Sequence, residues 1–178
     1  MRLSPVMTKF ILHWGEMGTR WGINRTVAQV HALLYLSPQP LNAEEIAETL
    51  AVARSNVSTS LRELLSWGVV KPVHLLGDRR EHFEAMKDVW EMARVILDTR
   101  KRREIDPTVS VLRECAAELK DAEPSDAHMR QRLLDMLALL ETLTALYDEM
   151  QRLPKGTVRG VARLRGKLRR VLNVKAPD

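Results

Sequence analysis

The chain has 178 residues, 45% of them hydrophobic, with a formal net charge of +5 and a single cysteine. That is room for one compact domain and a second helical layer; no apolar run approaches the roughly 18 to 20 residues of a membrane helix, and an internal disulfide is excluded. The charge is uneven, with 19 Lys plus Arg against 22 Asp plus Glu over residues 1–149 and 9 against 1 over 150–178, so the basic excess lies wholly in the tail.

Met1-Arg2-Leu3-Ser4-Pro5 lacks the apolar stretch and cleavage site of a secretory signal, and a cytoplasmic location is expected. Ser4 reads as an N-cap with proline at the first helical position, and Val6, Phe10, Trp14 and Met17 form a stripe ending near Gly18. Asn24 opens a second helix through Leu36, with Val27, Val30, Leu33 and Leu34 inward, stopped by Ser37-Pro38-Gln39-Pro40. Leu41 is placed to add a short third strand beside a later hairpin. Asn42-Ala43-Glu44-Glu45 has the form of a capping box and opens a helix through Leu50 with Ile46, Ala47 and Leu50 apolar. Ala51 to Ala53 then makes a tight turn into the helix from Arg54 to Trp67.

In that helix Val57, Leu61, Leu64 and Leu65 share one face, while Ser55, Asn56, Thr59, Arg62 and Ser66 share the other. Small hydrogen-bonding side chains and a guanidinium suit a surface that enters the DNA major groove and meets base edges and phosphates. Gly68 is placed as a left-handed cap, and the run from Val69 to Leu75 is rich in β-formers. Leu76-Gly77-Asp78-Arg79-Arg80 supplies turn chemistry with two arginines at the tip, and Glu81 to Met86 returns. Pro72 removes a ladder donor, which predicts an edge strand. Two short helices at a steep angle followed by a hairpin make a winged helix-turn-helix.

Beyond the wing, Asp88-Val89-Trp90-Glu91 reads as a second capping box for a helix running past Val95-Ile96-Leu97 to Ile105. Asp106-Pro107 is expected to restart the chain in a helix through about Ala122, and Pro124-Ser125 to open a third. There Met129, Leu133, Met136, Leu137, Leu140, Leu143, Leu146, Tyr147 and Met150 recur at three and four residues, a stripe wide enough for more than one neighbour. A lone subunit has little to cover it, so a helical dimerisation region is inferred, with an intramolecular core as the other use of such a stripe. Arg100-Lys101-Arg102-Arg103-Glu104 reads as a solvated face at a helix C-terminus, in preference to a second phosphate contact. The tail from Pro154 to Ala176 sets Lys155, Arg159, Arg163, Arg165, Lys167, Arg169, Arg170 and Lys175 around an apolar stripe. Such a basic amphipathic helix suits phosphate, an anionic membrane or a partner groove, and phosphate is preferred.

As an ordered set, Leu34-Tyr35-Leu36-Ser37-Pro38, Ala43-Glu44-Glu45-Ile46-Ala47, Arg54-Ser55-Asn56-Val57-Ser58, Leu61-Arg62-Glu63-Leu64, Trp67-Gly68-Val69-Val70, Gly77-Asp78-Arg79-Arg80 and Asp88-Val89-Trp90-Glu91-Met92 resembles the MarR-related GbsR-type transcriptional regulators. The similarity spans about Phe10 to Ile105. It implies a dimeric bacterial regulator with one winged helix per subunit, an N-terminal helix packed on the dimerisation helices, and, in some relatives, a response to choline or related osmoprotectants. Ala53 departs from the pattern, standing where such proteins often carry a capping Ser.

The fold class is therefore mainly α with a small β-wing: an N-terminal helix over residues 1–22, a winged helix-turn-helix DNA-binding domain over 23–87, a helical dimerisation and effector region over 88–152, and a basic tail over 153–178. Arg54, Ser55, Asn56, Ser58, Thr59, Arg62, Lys71, Arg79 and Arg80 are the expected DNA contacts, with Arg79 and Arg80 near the flanking minor groove. The expected partners are a double-stranded operator, a second copy of the chain and a small-molecule effector, with no membrane and no cofactor. Trp14, Trp21, Tyr35, Trp67 and Trp90 are candidates for an aromatic cage around a quaternary ammonium effector, a class suggested by the resemblance, although aromatic plugs in a core explain them more simply. No glycine-rich phosphate loop, nucleophile elbow or metal-ligand spacing argues for an enzyme. His74 and His82 are placed to face each other in the hairpin, but two ligands make an incomplete metal site. Cys115, with Leu112, Ala116 and Leu119 on its face, reads as a buried structural thiol. Two other classes compete: a winged helix used as a protein-interaction scaffold, which the polar face from Ser55 to Arg62 disfavours, and a sequence-neutral DNA-binding protein relying on its tail.

Overall fold

The computed structural model describes residues 2–119 and 126–152, and the chain divides into two compact units, Met1–Thr99 and Arg100–Asp178. The first unit begins with α1 (Pro5–Arg20), where Ser4 accepts from the Met7 amide at 3.3 Å, and α2 (Arg25–Leu36), where Asn24 accepts from the Thr26 amide at 2.8 Å. Each side chain satisfies an amide that the first helical turn leaves open. The two helices cross through glycine: a Cβ on Gly18 would lie 2.6 Å from that of Ala28, and one on Gly15 2.8 Å from Gln29 Cγ. Only hydrogen fits at those points, so the buried face of α1 is Ile11, Gly15 and Gly18, while Val6 is exposed.

β1 (Leu41–Asn42) leads directly into α3 (Ala43–Leu50). The capping box is complete, with Asn42 Oδ1 accepting from the Glu44 and Glu45 amides at 3.0 Å and Glu45 Oε2 accepting from the Asn42 amide at 2.8 Å. Ala51 turns the chain at φ 53°, a left-handed conformation that alanine adopts at some cost. α4 (Arg54–Trp67) follows and ends on Gly68 at φ 72°. β2 (Val70–Val73) and β3 (His82–Ala85) form the hairpin, and the antiparallel sheet has the order β1-β3-β2, so Pro72 does lie on an edge strand. Register pairs Leu41 with Phe83, and Val73 with His82. His74 therefore does not face His82, which is buried rather than solvated.

Val27, Val30, Leu33 and Leu34 of α2, Ile46 of α3, Val57, Leu61 and Leu64 of α4 and Phe83 of β3 form one core. Full burial of a side chain such as Ile46 or Leu33 contributes about 2 to 3 kcal/mol. α5 (Val89–Arg100) starts on Asp88, whose Oδ1 accepts from the Trp90 and Glu91 amides, and adds Met92 to that core.

The second unit departs from expectation at its start. Asp106-Pro107 does not restart the chain: Arg100 and Asp106 both hold right-handed helical angles, and residues Lys101–Ile105 form a π-helical turn leading straight into α6 (Asp106–Glu118). Pro107 has no N–H for the preceding turn and its ring crowds the carbonyl four residues back, which a widened turn accommodates. The cationic run is thus inside a helical stretch, not at a C-terminus, and Lys101 donates to Asp106 at 2.9 Å and lies 3.7 Å from Asp148. The hydrogen bond to Asp106 raises the Lys101 pKa. α7 (Ala127–Arg152) carries the long stripe in two parts: Leu133, Leu137, Leu140 and Tyr147 are half-buried, whereas Met129, Met136, Leu139, Leu143, Leu146 and Met150 are exposed. Cys115 is half-buried and free, less enclosed than its neighbours suggested. The helix start at Pro124-Ser125 and the basic tail of 153–178 lie outside the described residues. Among the described residues no helix is long and apolar enough to cross a membrane.

Candidate nucleic-acid interface

The packing of α4 leaves one face open. Val57, Ser60, Leu61 and Leu64 are buried, whereas Arg54, Ser55, Asn56, Ser58, Thr59 and Arg62 are all exposed on a helix of nearly four turns. Arg62 donates to Thr59 Oγ1 at 3.2 Å and has no acid partner among the described residues, so its charge is available. Ala53 makes no side-chain cap bond, and the helix begins uncapped.

The wing divides its two arginines between tasks. Asp78 accepts from the Arg80 amide at 2.9 Å, from Nε at 3.0 Å and from Nη2, folding the tip into a closed loop around Gly77 at φ 85°. The Arg80 guanidinium and amide hold the Asp78 carboxyl well below the usual carboxylate range, and the same pairing pushes Arg80 further up. Buried His82 donates from Nδ1 to the Arg80 carbonyl at 3.0 Å and fixes the base of the loop. Arg79 has no partner among the described residues and projects from the tip. Lys71 is paired across the hairpin with Glu84 at 2.8 Å. Between α4 and the wing lies an open cleft of about 350 Å³, lined by Glu44, Arg54, Ser58, Arg62, Arg80 and Phe83 among others.

The aromatic candidates separate. Trp14, Trp21 and Trp67 line one small cavity of about 50 Å³ together with His31, Leu64 and Ile96, beneath the C-terminal end of α4. Tyr35 belongs instead to a ladder in which Phe10 stacks on Trp14 at 5.3 Å, Trp14 lies 6.4 Å from His31, and His31 lies 6.4 Å from Tyr35. Trp90 is half-exposed on α5 and does not line the cavity. No carboxylate lines it, and two buried polar atoms at its walls, His31 Nε2 and Trp67 Nε1, have no hydrogen-bond partner. Burial lowers the His31 pKa to about 4, so its ring is neutral near pH 7.

Residues 21–81, which cover α2 to the wing tip, match the MarR family. The chain is 26% identical over 143 residues to the HTH-type transcriptional repressor GbsR of Bacillus subtilis, covering 79% of each. It is 28% identical over 150 residues to the HTH-type transcriptional regulator MmpR5 of Mycobacterium tuberculosis, covering 82% of this chain and 86% of that one. Residues 21–81 thus resemble a MarR-family domain. A solved structure described as a transcriptional regulator covers 88% of this chain and 99% of its own with a TM-score of 0.66 at 21% identity, and it confirms the winged-helix fold.

Three residues escaped the sequence reading. Glu44 was credited only as a neighbour in the capping box, yet its carboxylate reaches Arg54 and Arg80. His31 was legible in principle, since positions 27, 30, 31 and 34 share the buried face of α2 and one of them is polar. Lys87 gave no signal: its ammonium donates to the carbonyls of Leu34, Tyr35 and Ser37 at 2.9 to 3.1 Å, capping the end of α2 from 50 residues away.

Proposed function

We propose that this protein is a MarR-type, sequence-specific DNA-binding repressor that acts as a homodimer and inserts α4 of each subunit into successive major grooves of a pseudo-palindromic operator. The observation that carries this is the open face of α4, where Ser55, Asn56, Thr59 and Arg62 stand exposed beside a wing whose tip presents an unpartnered Arg79. Ser55, Asn56, Ser58, Thr59 and Arg62 meet base edges and phosphates, Arg54 and Lys71 the backbone, and Arg79 the flanking minor groove. Arg80, engaged by Asp78, acts mainly by shaping the wing. Residues 23–87 form the DNA-binding domain, residues 88–152 the helical dimerisation region, and the tail of 153–178 supplies added phosphate contact. The open part of the α7 stripe, at positions 129, 136, 139, 143, 146 and 150, has the three-four spacing of a helix seam and supports dimerisation.

The cavity walled by Trp14, Trp21 and Trp67 is the seat of effector control, with Tyr35 and Trp90 outside it. Its small size and lack of a carboxylate favour a compact neutral group over a quaternary ammonium ion. The test of the main reading is retention on the protein's own promoter region against a scrambled duplex of equal length across a salt series. Retention on the promoter at salt that strips the scrambled duplex is expected; equal loss on both, with or without residues 154–178, refutes an operator-reading regulator.

A further inference from the structure

The cleft between recognition helix and wing contains a negative charge where a DNA-binding surface is expected to be positive. Glu44 is the second residue of α3, and one of its oxygens lies 3.3 Å from Arg54 Nη1 while the other lies 3.7 Å from Arg80 Nη1. One carboxylate thus joins all three parts of the motif: the first helix, the start of α4, and the wing. Arg80 is then doubly engaged, since Asp78 already takes its Nε and Nη2. Arg62 and Arg79, by contrast, meet no acid among the described residues. The four arginines of the interface therefore fall into two classes, a free pair that any phosphate attracts and a pair already holding a carboxylate.

We infer that Glu44 is a phosphate surrogate that sets the DNA specificity of the interface, an inference that rests on the operator-reading function proposed above. DNA takes Arg54 and Arg80 only by displacing the Glu44 carboxylate. A non-cognate duplex offers phosphate alone, so exchanging one anion for another at these arginines yields little, and it is also repelled by the carboxylate itself. An operator adds base-edge contacts to Ser55, Asn56 and Arg62 that offset the exchange. The charge on Glu44 thus weakens indiscriminate binding more than cognate binding. That is specificity obtained by penalising the wrong partner. Its exposed ion pairs contribute little to folding, which leaves the role in binding as their principal effect.

The test compares E44Q with wild type on the promoter duplex and the scrambled duplex between 50 and 200 mM salt. E81Q is the control, because Glu81 lines the same cleft and holds no arginine among the described residues. In E44Q, Arg54 becomes free to release counterions. The slope of log affinity against log salt on the scrambled duplex should steepen by about 0.9, equivalent to a gain of about 3-fold at 50 mM relative to 200 mM, whereas E81Q should leave the slope alone. The promoter-to-scrambled ratio should fall by a similar factor, and adding R54A to E44Q should remove the gain. An unchanged slope in E44Q, an equal change in E81Q, or an equal gain on both duplexes overturns the assignment of Glu44. Absence of promoter preference in the wild type overturns the operator-reading function and the inference with it, a result separable from the others because it is read without any substitution.

Discussion

His31 provides a direct check on the packing beneath the recognition helix. It is 5% exposed, between the rings of Trp14 and Tyr35, and burial lowers its pKa from 6.5 to about 4. The unfolded chain binds a proton at this site below pH 6.5 while the folded chain refuses it until about pH 4. The stabilisation from a neutral, buried ring is thus complete above pH 6.5 and is lost progressively as the pH falls through that window. With those two values the loss is about 2 kcal/mol at pH 5 and about 3 kcal/mol at pH 4, and negligible at pH 7.5. Carboxylates titrate over the same range, so the quantity to measure is the difference between wild type and H31L, by urea unfolding at pH 7.5, 6, 5 and 4.5. Leucine removes both the titration and the unpaired Nε2, so H31L should match or exceed wild type at pH 7.5 and gain on it steadily below pH 6. Parallel curves for the two proteins would show that His31 is hydrated or partnered in solution and refute the reasoning.

The interface makes its own predictions. R62A and R79A should each weaken promoter binding by about 1 to 3 kcal/mol, R79A also reducing the salt slope by about 1, whereas R80A should act chiefly by loosening the wing, seen as faster amide exchange from Leu75 to His82. A53S should supply the missing cap of α4 and raise stability by about 1 kcal/mol in thermal unfolding; no gain would mean the first-turn amides are already satisfied. G18A should destabilise by about 1 to 3 kcal/mol because its Cβ meets that of Ala28, and A28G in the same chain should recover most of the loss, a coupling read by a double-mutant cycle. L139E with L143E should halve the mass measured by light scattering if the open stripe of α7 joins two copies, and an unchanged mass would place the seam elsewhere.

What was legible in the sequence was what neighbouring residues decide among themselves. Asn42 and Glu45 cap each other within one turn, Gly68 ends α4 because the left-handed angle there suits glycine, and Val57, Leu61 and Leu64 lie on one face by periodicity alone. Even Leu41, a single residue, was placed correctly as a third strand beside the hairpin, where the structure pairs it with Phe83. The π-turn failed for a different reason. Asp106-Pro107 is locally a good helix start, and the same proline is also compatible with a widened turn in a helix that continues, so the dipeptide does not choose between them.

The roles that escaped are those fixed by the folded conformation and not by the local pattern. Asp78 and Arg80 are two residues apart, yet a run of Gly-Asp-Arg-Arg reads as two free cations, because only the loop conformation brings one guanidinium back onto the aspartate. Glu44 is ten residues from Arg54 and 36 from Arg80, and counting charges near α4 omits it. Lys87 is further still from the carbonyls it caps. In each case the tertiary partner changed the meaning of the charge without changing the element that carries it. A winged helix is therefore recognisable from periodicity and caps, while which of its cations are free to meet a phosphate is decided by contacts that periodicity does not contain.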